Sequence, residues 1–459
     1  MKFDLRPPIL LLLAIAVSGC LASNTNTGPA ATQSTPSPSA SSPPQAEKND
    51  SRLSQVTLPV LDALLANDNF VSEVKTKLQI TDEQVSALKT AAAAEVNRLR
   101  TGNAEENVAN STEGRSRAIE QIASIIGNDK TKQLIKFADE FWARGIDTQA
   151  STGTPETSGS PATPTPNAVP TDTRIVVNIP AYRMDLFKDG SLIKSYKIGI
   201  GYPEFPLPQG ERKAQTIIFN PTWTPPDSPW VAKMKDITPG EKVEAGSKLN
   251  PLGPIKIPIG MPSLIHGGKS PAKLGTFASH GCVGLTNSQV KDFAQMLGQI
   301  SNTDVSANSI ANYLKDPTHT QVVKLKQTIL VELRYETIVL EDGKLHIFKD
   351  VYDQDSNTEE NLRKVLEANG AGLEDLSEQV RAQVLEALNL MSAHPKQTVV
   401  SPSPSPDASD RKRKRTEKKS PKNQKEIVVE LASLARRGYP APVNFDVGTG
   451  KTVTAASVR

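Results

Sequence analysis

The spacing of apolar positions divides the chain into regions of different period. From about Leu53 to Trp142 they recur at helical spacing. Val85, Leu88, Ala92, Val96 and Leu99 fall on one face, and Leu134, Ala138, Phe141 and Trp142 repeat the pattern after Ile119, Ile122 and Ile126. Thr81 and Gln84 are spaced as a capping box, which marks a helix start. At Thr173 the period falls to two. Ile175, Val177 and Ile179 alternate with polar or smaller neighbours, and Tyr182, Met184 and Leu186 alternate with Arg183 and Asp185. Asp189-Gly190 predicts a tight hairpin turn before Tyr196, Ile198 and Ile200. A second hairpin is predicted from Thr328 to Phe348, turning at Asp342-Gly343, with one helix before it from about Ser288 to Leu297. Leu373, Leu376, Val380, Val384 and Leu388 predict an amphipathic helix beyond, and Ile427, Leu431 and Leu434 a short one.

Three stretches lack large apolar residues: Ser23 to Asp50, about Thr148 to Pro170, and about Ser401 to Pro421. Such composition buries too little surface to offset ordering entropy, so these read as tethers. They account for much of the excess in the 35 prolines. The predicted organisation is a leader (1–20), a tether (21–51), an all-α segment (52–147), a linker (148–171), a mainly-β domain (172–350), a helical extension (351–395) and a largely disordered, basic, low-complexity tail (396–459). Lys+Arg total 53 and Asp+Glu 50, a net charge of +3, which excludes a globally basic nucleic-acid binder. The charge is unevenly placed, since Arg411 to Arg415, Lys418 and Lys419 form a basic run suited to a solvated linker or to anionic envelope polymers and lipid headgroups.

The leader has Lys2 and Arg6, then the apolar run Ile9 to Val17, then Ser18, Gly19 and Cys20. Such a run spans about half of a ~30 Å hydrocarbon core, which fits a signal-peptide core and not a membrane-crossing helix. Val17-Ser18-Gly19-Cys20 resembles a bacterial lipobox, which implies lipidation of Cys20. Leu21 in place of Asp resembles outer-membrane cargo. The expected location is therefore the periplasmic face of the cell envelope, on a lipid anchor.

Two cysteines cannot build a disulfide framework, and lipidation of Cys20 would leave Cys282 without an intramolecular partner. Cys282 lies in Ser279-His280-Gly281-Cys282-Val283-Gly284-Leu285, preceded by Leu264-Ile265-His266-Gly267-Gly268. A thiolate is a strong nucleophile, but a thiol of ordinary pKa near ~8.5 needs a neighbouring imidazole to activate it. Flanking glycines let backbone approach a substrate and aim N–H groups at a developing oxyanion. Spacing alone leaves His266 and His280 both open as the base. The same three residues could ligand zinc, but no further Cys pairing supports a structural site, and no metal or cofactor is expected.

The pattern His266-Gly267 … Ser279-His280-Gly281-Cys282 resembles the signature of the L,D-transpeptidase catalytic (YkuD) domain. Ile198-Gly199-Ile200-Gly201, Asn220-Pro221-Thr222-Trp223-Thr224-Pro225 and Asn250-Pro251-Leu252-Gly253 come in the order expected of its periplasmic branch. The resemblance covers roughly Thr173 to Leu297, with the hairpin to Phe348 attached, and implies a mainly-β catalytic domain, a β-sandwich with a short helix. It implies that Cys282 attacks a peptidoglycan tetrapeptide stem and releases D-alanine. His266 would be the proton donor and acceptor, oriented by the carbonyl of Gly267. The N–H groups of His280, Gly281 and Cys282 would form the oxyanion hole, with Ser279 beside them. The acyl group then passes to a second stem in a 3–3 cross-link, to water as in an L,D-carboxypeptidase or amidase, or to an envelope lipoprotein. A catalytically inactive wall-binding module is the reading from another class.

The sequence departs from the family at Gly284, where Arg, or sometimes Asn, is usual; Lys269 or Lys273 would have to supply the cation. Trp223 and Trp230 are candidates for the cleft wall or for packing of a Pro-rich loop. His319, His346 and His394 stand outside any cluster.

Overall fold

The computed structural model describes residues 56–101, 110–144, 165–226, 231, 234–260, 263–392, 424–449 and 452–454. Cys20, the leader and first tether, Trp230, His394 and the basic run therefore lie outside the described residues. Among the described residues no helix is long and apolar enough to cross a membrane.

The N-terminal segment is all α: α1 (Leu58–Leu65), α2 (Asp68–Leu78), α3 (Asp82–Thr101), α4 (Asn110–Ile126) and α5 (Asn128–Arg144). Side-chain caps set where these helices start. Thr57 caps α1 and Asn67 caps α2. Thr81 and Gln84 form the predicted box reciprocally, at 3.2 and 3.1 Å. The predicted face of α3 is the buried one, Val85, Leu88, Ala92, Val96 and Leu99 all lying in the core. Phe70 centres this core, its ring 5.5 Å from Phe137 and 5.0 Å from Phe141.

The central domain is built on one ten-stranded sheet, in the order β15-β14-β3-β2-β1-β10-β5-β6-β7-β9. Its strands are β1 (Arg174–Asn178), β2 (Arg183–Lys188), β3 (Ser191–Lys197), β5 (Gly210–Phe219), β6 (Ile255–Pro258), β7 (Leu264–His266), β9 (Val283–Gly284), β10 (Gln321–Arg334), β14 (Phe445–Asp446) and β15 (Thr452–Val453). The short strands β4 (Ile200–Gly201) and β8 (Phe277–Ser279) pair separately. Gly199 and Gly284 exchange two 2.9 Å backbone hydrogen bonds, so the sheet curls until its β9 edge meets the chain leaving β3. The two faces implied by a sandwich thus come largely from a single sheet curled on itself. Asp189 and Gly190 both take positive φ, 48° and 78°, giving the hairpin turn between β2 and β3. Inside the curl lies α6 (Asn287–Ile300), which starts at a capping box of Thr286 and Gln289 and buries Val290, Phe293, Ala294 and Leu297. The short helix α7 (Ala307–Tyr313) follows it.

The second predicted hairpin divides. β10 stays in the large sheet, parallel to β1 and antiparallel to β5. β11 (Ile338–Glu341) and β12 (Lys344–Phe348) turn at Asp342-Gly343 and join a separate three-stranded sheet. Its third strand is β13 (Glu426–Glu430), which pairs with β12 across the interval to the tail. Helices α8 (Glu359–Ala368) and α9 (Glu378–Met391) cover this sheet and complete a core of its own. The tail expected over 396–459 is therefore not uniform. Residues 393–423 lie outside the described residues, while those from Gln424 to Thr449 add strands to both sheets. The short helix expected through Ile427, Leu431 and Leu434 is a strand followed by one 3-10 turn, Ala432–Leu434. Ile427, Val428 and Val429 are β-branched in succession, which favours an extended pairing over a helix.

Candidate active site

His266 ends β7 and Cys282 immediately precedes β9, and these two strands run parallel and adjacent, with Ile265 opposite Val283 and His266 opposite Gly284. The pairing brings together two motifs that the sequence separates by a loop. His266 is buried, and its Nδ1 lies 2.7 Å from the carbonyl oxygen of Gly267. With the Nδ1 proton donated there, Nε2 carries the lone pair and is the ring's basic atom. The next backbone is tied in turn, since Gly268 N–H donates to Asn287 Oδ1 of α6 at 2.7 Å.

The turn from Ser279 to Cys282 is held from within. Ser279 Oγ donates to the Cys282 carbonyl at 2.6 Å and accepts from the Cys282 N–H at 3.0 Å. The Cys282 N–H, expected among the oxyanion donors, is thus committed to a side chain. Gly281 sits at φ 92°, a conformation that disfavours a side chain, and its carbonyl accepts from the buried Ser263 Oγ at 2.8 Å. His280 does not enter the His266 pairing. Its ring packs against Phe205 (centroids 4.5 Å) and Tyr202 (5.2 Å), both edge-on.

Electrostatics favour a neutral resting pair. Burial pushes His266 down to about 3, and the charge of Lys269 adds to the effect. Burial raises the Cys282 thiol, against a backbone hydrogen bond from Leu264 and the attraction of Lys269. The resting pair is therefore a thiol and a neutral imidazole. This arrangement can pass the thiol proton to Nε2 as the sulfur attacks a carbonyl.

Residues 172–322 match the family model of the L,D-transpeptidase catalytic domain, YkuD. The chain carries an L,D-transpeptidase-type domain. The match takes in His266, Cys282 and the whole of the strand pairing between them. Among solved structures, the catalytic domain of the E. faecium L,D-transpeptidase is 19% identical, over 36% of this chain and 99% of that one, with a TM-score of 0.23. A crystal structure of an Enterococcus faecium L,D-transpeptidase is 16% identical, over 35% of this chain and 49% of that one, at 0.22. An L,D-transpeptidase from Mycobacterium smegmatis is 16% identical, over 35% and 58%, at 0.22. The chain spans only about half of the two longer proteins. No curated protein matches it.

Within the L,D-transpeptidase-type domain, the two candidate lysines separate. Lys273 is exposed on the 3-10 turn Pro271–Lys273. Lys269 is half-buried, its N–H bonded to the Leu285 carbonyl at 3.0 Å, and its stem lies over Gly284. A Cβ at position 284 would fall 2.8 Å from Lys269 Cγ and 2.9 Å from Cε. Trp223 is buried with Val231, Ile237 and Leu252 in a small core of the loop between β5 and β6, and its backbone pairs with Val243. His319 is exposed, and His346 lies on β12 against Glu426.

Several residues around the site carry no sequence motif. Lys256 of β6 stands opposite His266, half-buried, with Nζ donating to the Thr222 carbonyl at 3.2 Å. Burial lowers its pKa. Its position between Ile255 and Ile257, buried on the other face, was the available signal, but only the β6–β7 register joins it to His266. Tyr202, Phe205 and Ser263 meet the turn from Ser279 to Cys282 through contacts of longer range along the chain.

Proposed function

We propose that this protein is a peptidoglycan L,D-transpeptidase in which Cys282 is the nucleophile and His266 the base. His266 Nε2 takes the thiol proton as sulfur attacks the carbonyl of the L-centre of the diamino acid in a tetrapeptide stem. The resulting oxyanion meets the N–H groups of the His280–Gly281 turn. Collapse breaks the peptide bond, the imidazolium returns the proton to the leaving amine of D-alanine, and a thioester remains on Cys282. An amine of a second stem then attacks the thioester, gives its proton to Nε2 and restores the thiol. The observation that supports this reading is the 2.7 Å contact of His266 Nδ1 with the Gly267 carbonyl, since an Nδ1 proton donated there frees the Nε2 lone pair of a residue on the strand beside Cys282.

Lys269 is the cation of the site and takes up the acidic groups of the stem, covering the position where Gly284 provides no side chain. Lipidation of Cys20 anchors the enzyme at the periplasmic face of the envelope, and the first tether gives it reach to the wall. The test is incubation of the full chain with purified tetrapeptide muropeptides, followed by mass analysis. Cross-linked dimers with free D-alanine support transfer to a stem amine, and tripeptides alone support hydrolysis. Either product must vanish in Cys282→Ala. Unchanged tetrapeptides with wild-type protein would overturn the enzymatic reading and leave wall binding.

A further inference from the structure

The loop after β4 connects the helical segment to the catalytic turn through a buried charge. Glu204, in this loop, is fully buried. Its Oε1 accepts from Arg117 Nη2 of α4 at 3.1 Å, and its backbone carbonyl accepts from Thr57 Oγ1, the cap of α1, at 2.6 Å. Its Oε2 has no hydrogen-bond partner among the described residues. The carboxyl lies directly on Gly114 of α4, where a Cβ would fall 2.7 Å from the carboxyl carbon. Arg117 also bonds Glu95 of α3 at 2.9 Å, and Arg98 grips the same Glu95. Glu113 lies 3.6 Å from Arg117 on the outer side.

The other end of the loop is the wall of the catalytic turn. Tyr202 N–H donates to the Ser279 carbonyl and Phe205 N–H to the Tyr202 carbonyl, each at 2.9 Å, and both rings pack on His280. Tyr352 fastens the same loop from a third side, donating to the Gly201 carbonyl at 2.9 Å and accepting from Leu207 N–H at 3.2 Å. Arg115 of α4 holds the carbonyls of Tyr352 and Asp353 at 3.1 and 2.8 Å. A helical spacer would need no charge sunk in the catalytic domain. A buried carboxyl group with an unsatisfied oxygen is costly, which makes its place between α4 and the catalytic turn one that packing alone does not account for.

We propose that Glu204 is a positioning residue through which the helical segment sets the catalytic turn. The Arg117–Glu204 pair holds the Tyr202–Phe205 wall against His280, and with it the backbone donors of His280 and Gly281. The catalytic half of this proposal rests on the acyl-transfer reading above, and the positional half does not.

Two measurements on the full chain test it: hydrogen exchange of the segment 276–285, and acylation of Cys282 by a carbapenem followed by intact-protein mass. Arg117→Met and Glu204→Gln should keep a cooperative thermal transition, speed exchange in 276–285 at least 10-fold and lower the maximal acylation rate at least 10-fold. The half-saturating carbapenem concentration should stay within about 2-fold. Arg117→Lys, which keeps a cation opposite Glu204, should restore most of both. If Arg117→Met does not fold, the shape-conserving Glu204→Gln carries the test. Exchange and acylation at wild-type rates in folded Glu204→Gln would overturn the proposal, as would loosening confined to the helices and the 202–207 loop. Wild-type protein that is never acylated, with exchange still faster in the variants, would overturn the acyl-transfer reading and uphold the positional one.

Discussion

The aliphatic stem of Lys269 lies on the Cα of Gly284, in space that any side chain at position 284 would claim. The same lysine acts electrostatically on both Cys282 and His266. Absence of a side chain at position 284 and presence of the Lys269 cation beside Cys282 are therefore one structural fact. The cation reaches the site from the loop after β7 and not from the strand after the cysteine.

Gly284→Arg should be mutually exclusive with the present placement of Lys269. Overpacking of this kind costs about 1–3 kcal/mol, read as a lower midpoint in thermal or urea unfolding. The displaced Lys269 should also change the half-saturating concentration for stem peptides more than the maximal rate. A variant as stable as wild type with unchanged kinetics would show that Lys269 has no fixed place over Gly284.

Lys269→Met removes the positive charge that favours the thiolate. Alkylation of Cys282 by iodoacetamide, followed as a function of pH, should shift its midpoint upward. The sign follows from charge: Lys269 opposes the burial that raises the Cys282 thiol. A midpoint that stays or falls would place the Lys269 ammonium away from the sulfur.

Cys282→Ala should abolish carbapenem adducts and muropeptide products. His266→Gln should fold and slow acylation by roughly 10²–10⁴-fold, the span typical of a lost general base. His280→Gln should lose far less, because His280 packs on Tyr202 and Phe205 and lies apart from the His266–Gly267 pairing. Equal losses in the two variants would count against assigning the base to His266.

Two buried groups give stability opposite pH dependences. His266 is pushed down to about 3 by burial, so its share of stability is present above pH ~6.5 and is lost as pH falls toward 3. Glu204 is raised to about 7, burial outweighing the attraction of Arg117, so the stability linked to its protonated form is present below pH ~4.5 and is lost as pH rises through 7. The second effect is on the order of 3 kcal/mol. Urea unfolding of wild type and Glu204→Gln at pH 5 and 8 isolates it: wild type should lose stability relative to the variant between these values. Parallel curves would mean that Glu204 stays ionised throughout.

Gly281→Ala places a Cβ on a residue at φ 92°. The strain is about 1–2 kcal/mol, and relief of it would swing the Gly281 N–H. Acylation should therefore fall more than stability does. A stable, fully active variant would exclude this N–H from the oxyanion site.

The legible parts of the chain were those decided within a few residues. The face of α3, the Thr81–Gln84 box and the Asp189-Gly190 turn follow from side-chain spacing and from the φ angles that particular residues tolerate. The Cys282 region stood out in the sequence because a thiol, two imidazoles and glycines cluster in a short stretch. The tail was less so. β13 pairs with β12 about 80 residues upstream, and no local window contains both strands.

By itself, then, the sequence determined the helical N-terminal segment, the strands β1 to β3, the principal turns and the Cys–His–Gly motifs, since each depends on neighbours along the chain. Only the tertiary structure decided what lies across from what. The parallel pairing of β7 with β9 brings His266 beside Cys282, and Ser279 occupies the Cys282 N–H. Lys269 covers Gly284, and Arg117 reaches Glu204 across 87 residues. These relationships depend on sheet register and on the burial of charge, which arise only when distant segments pack and exclude water.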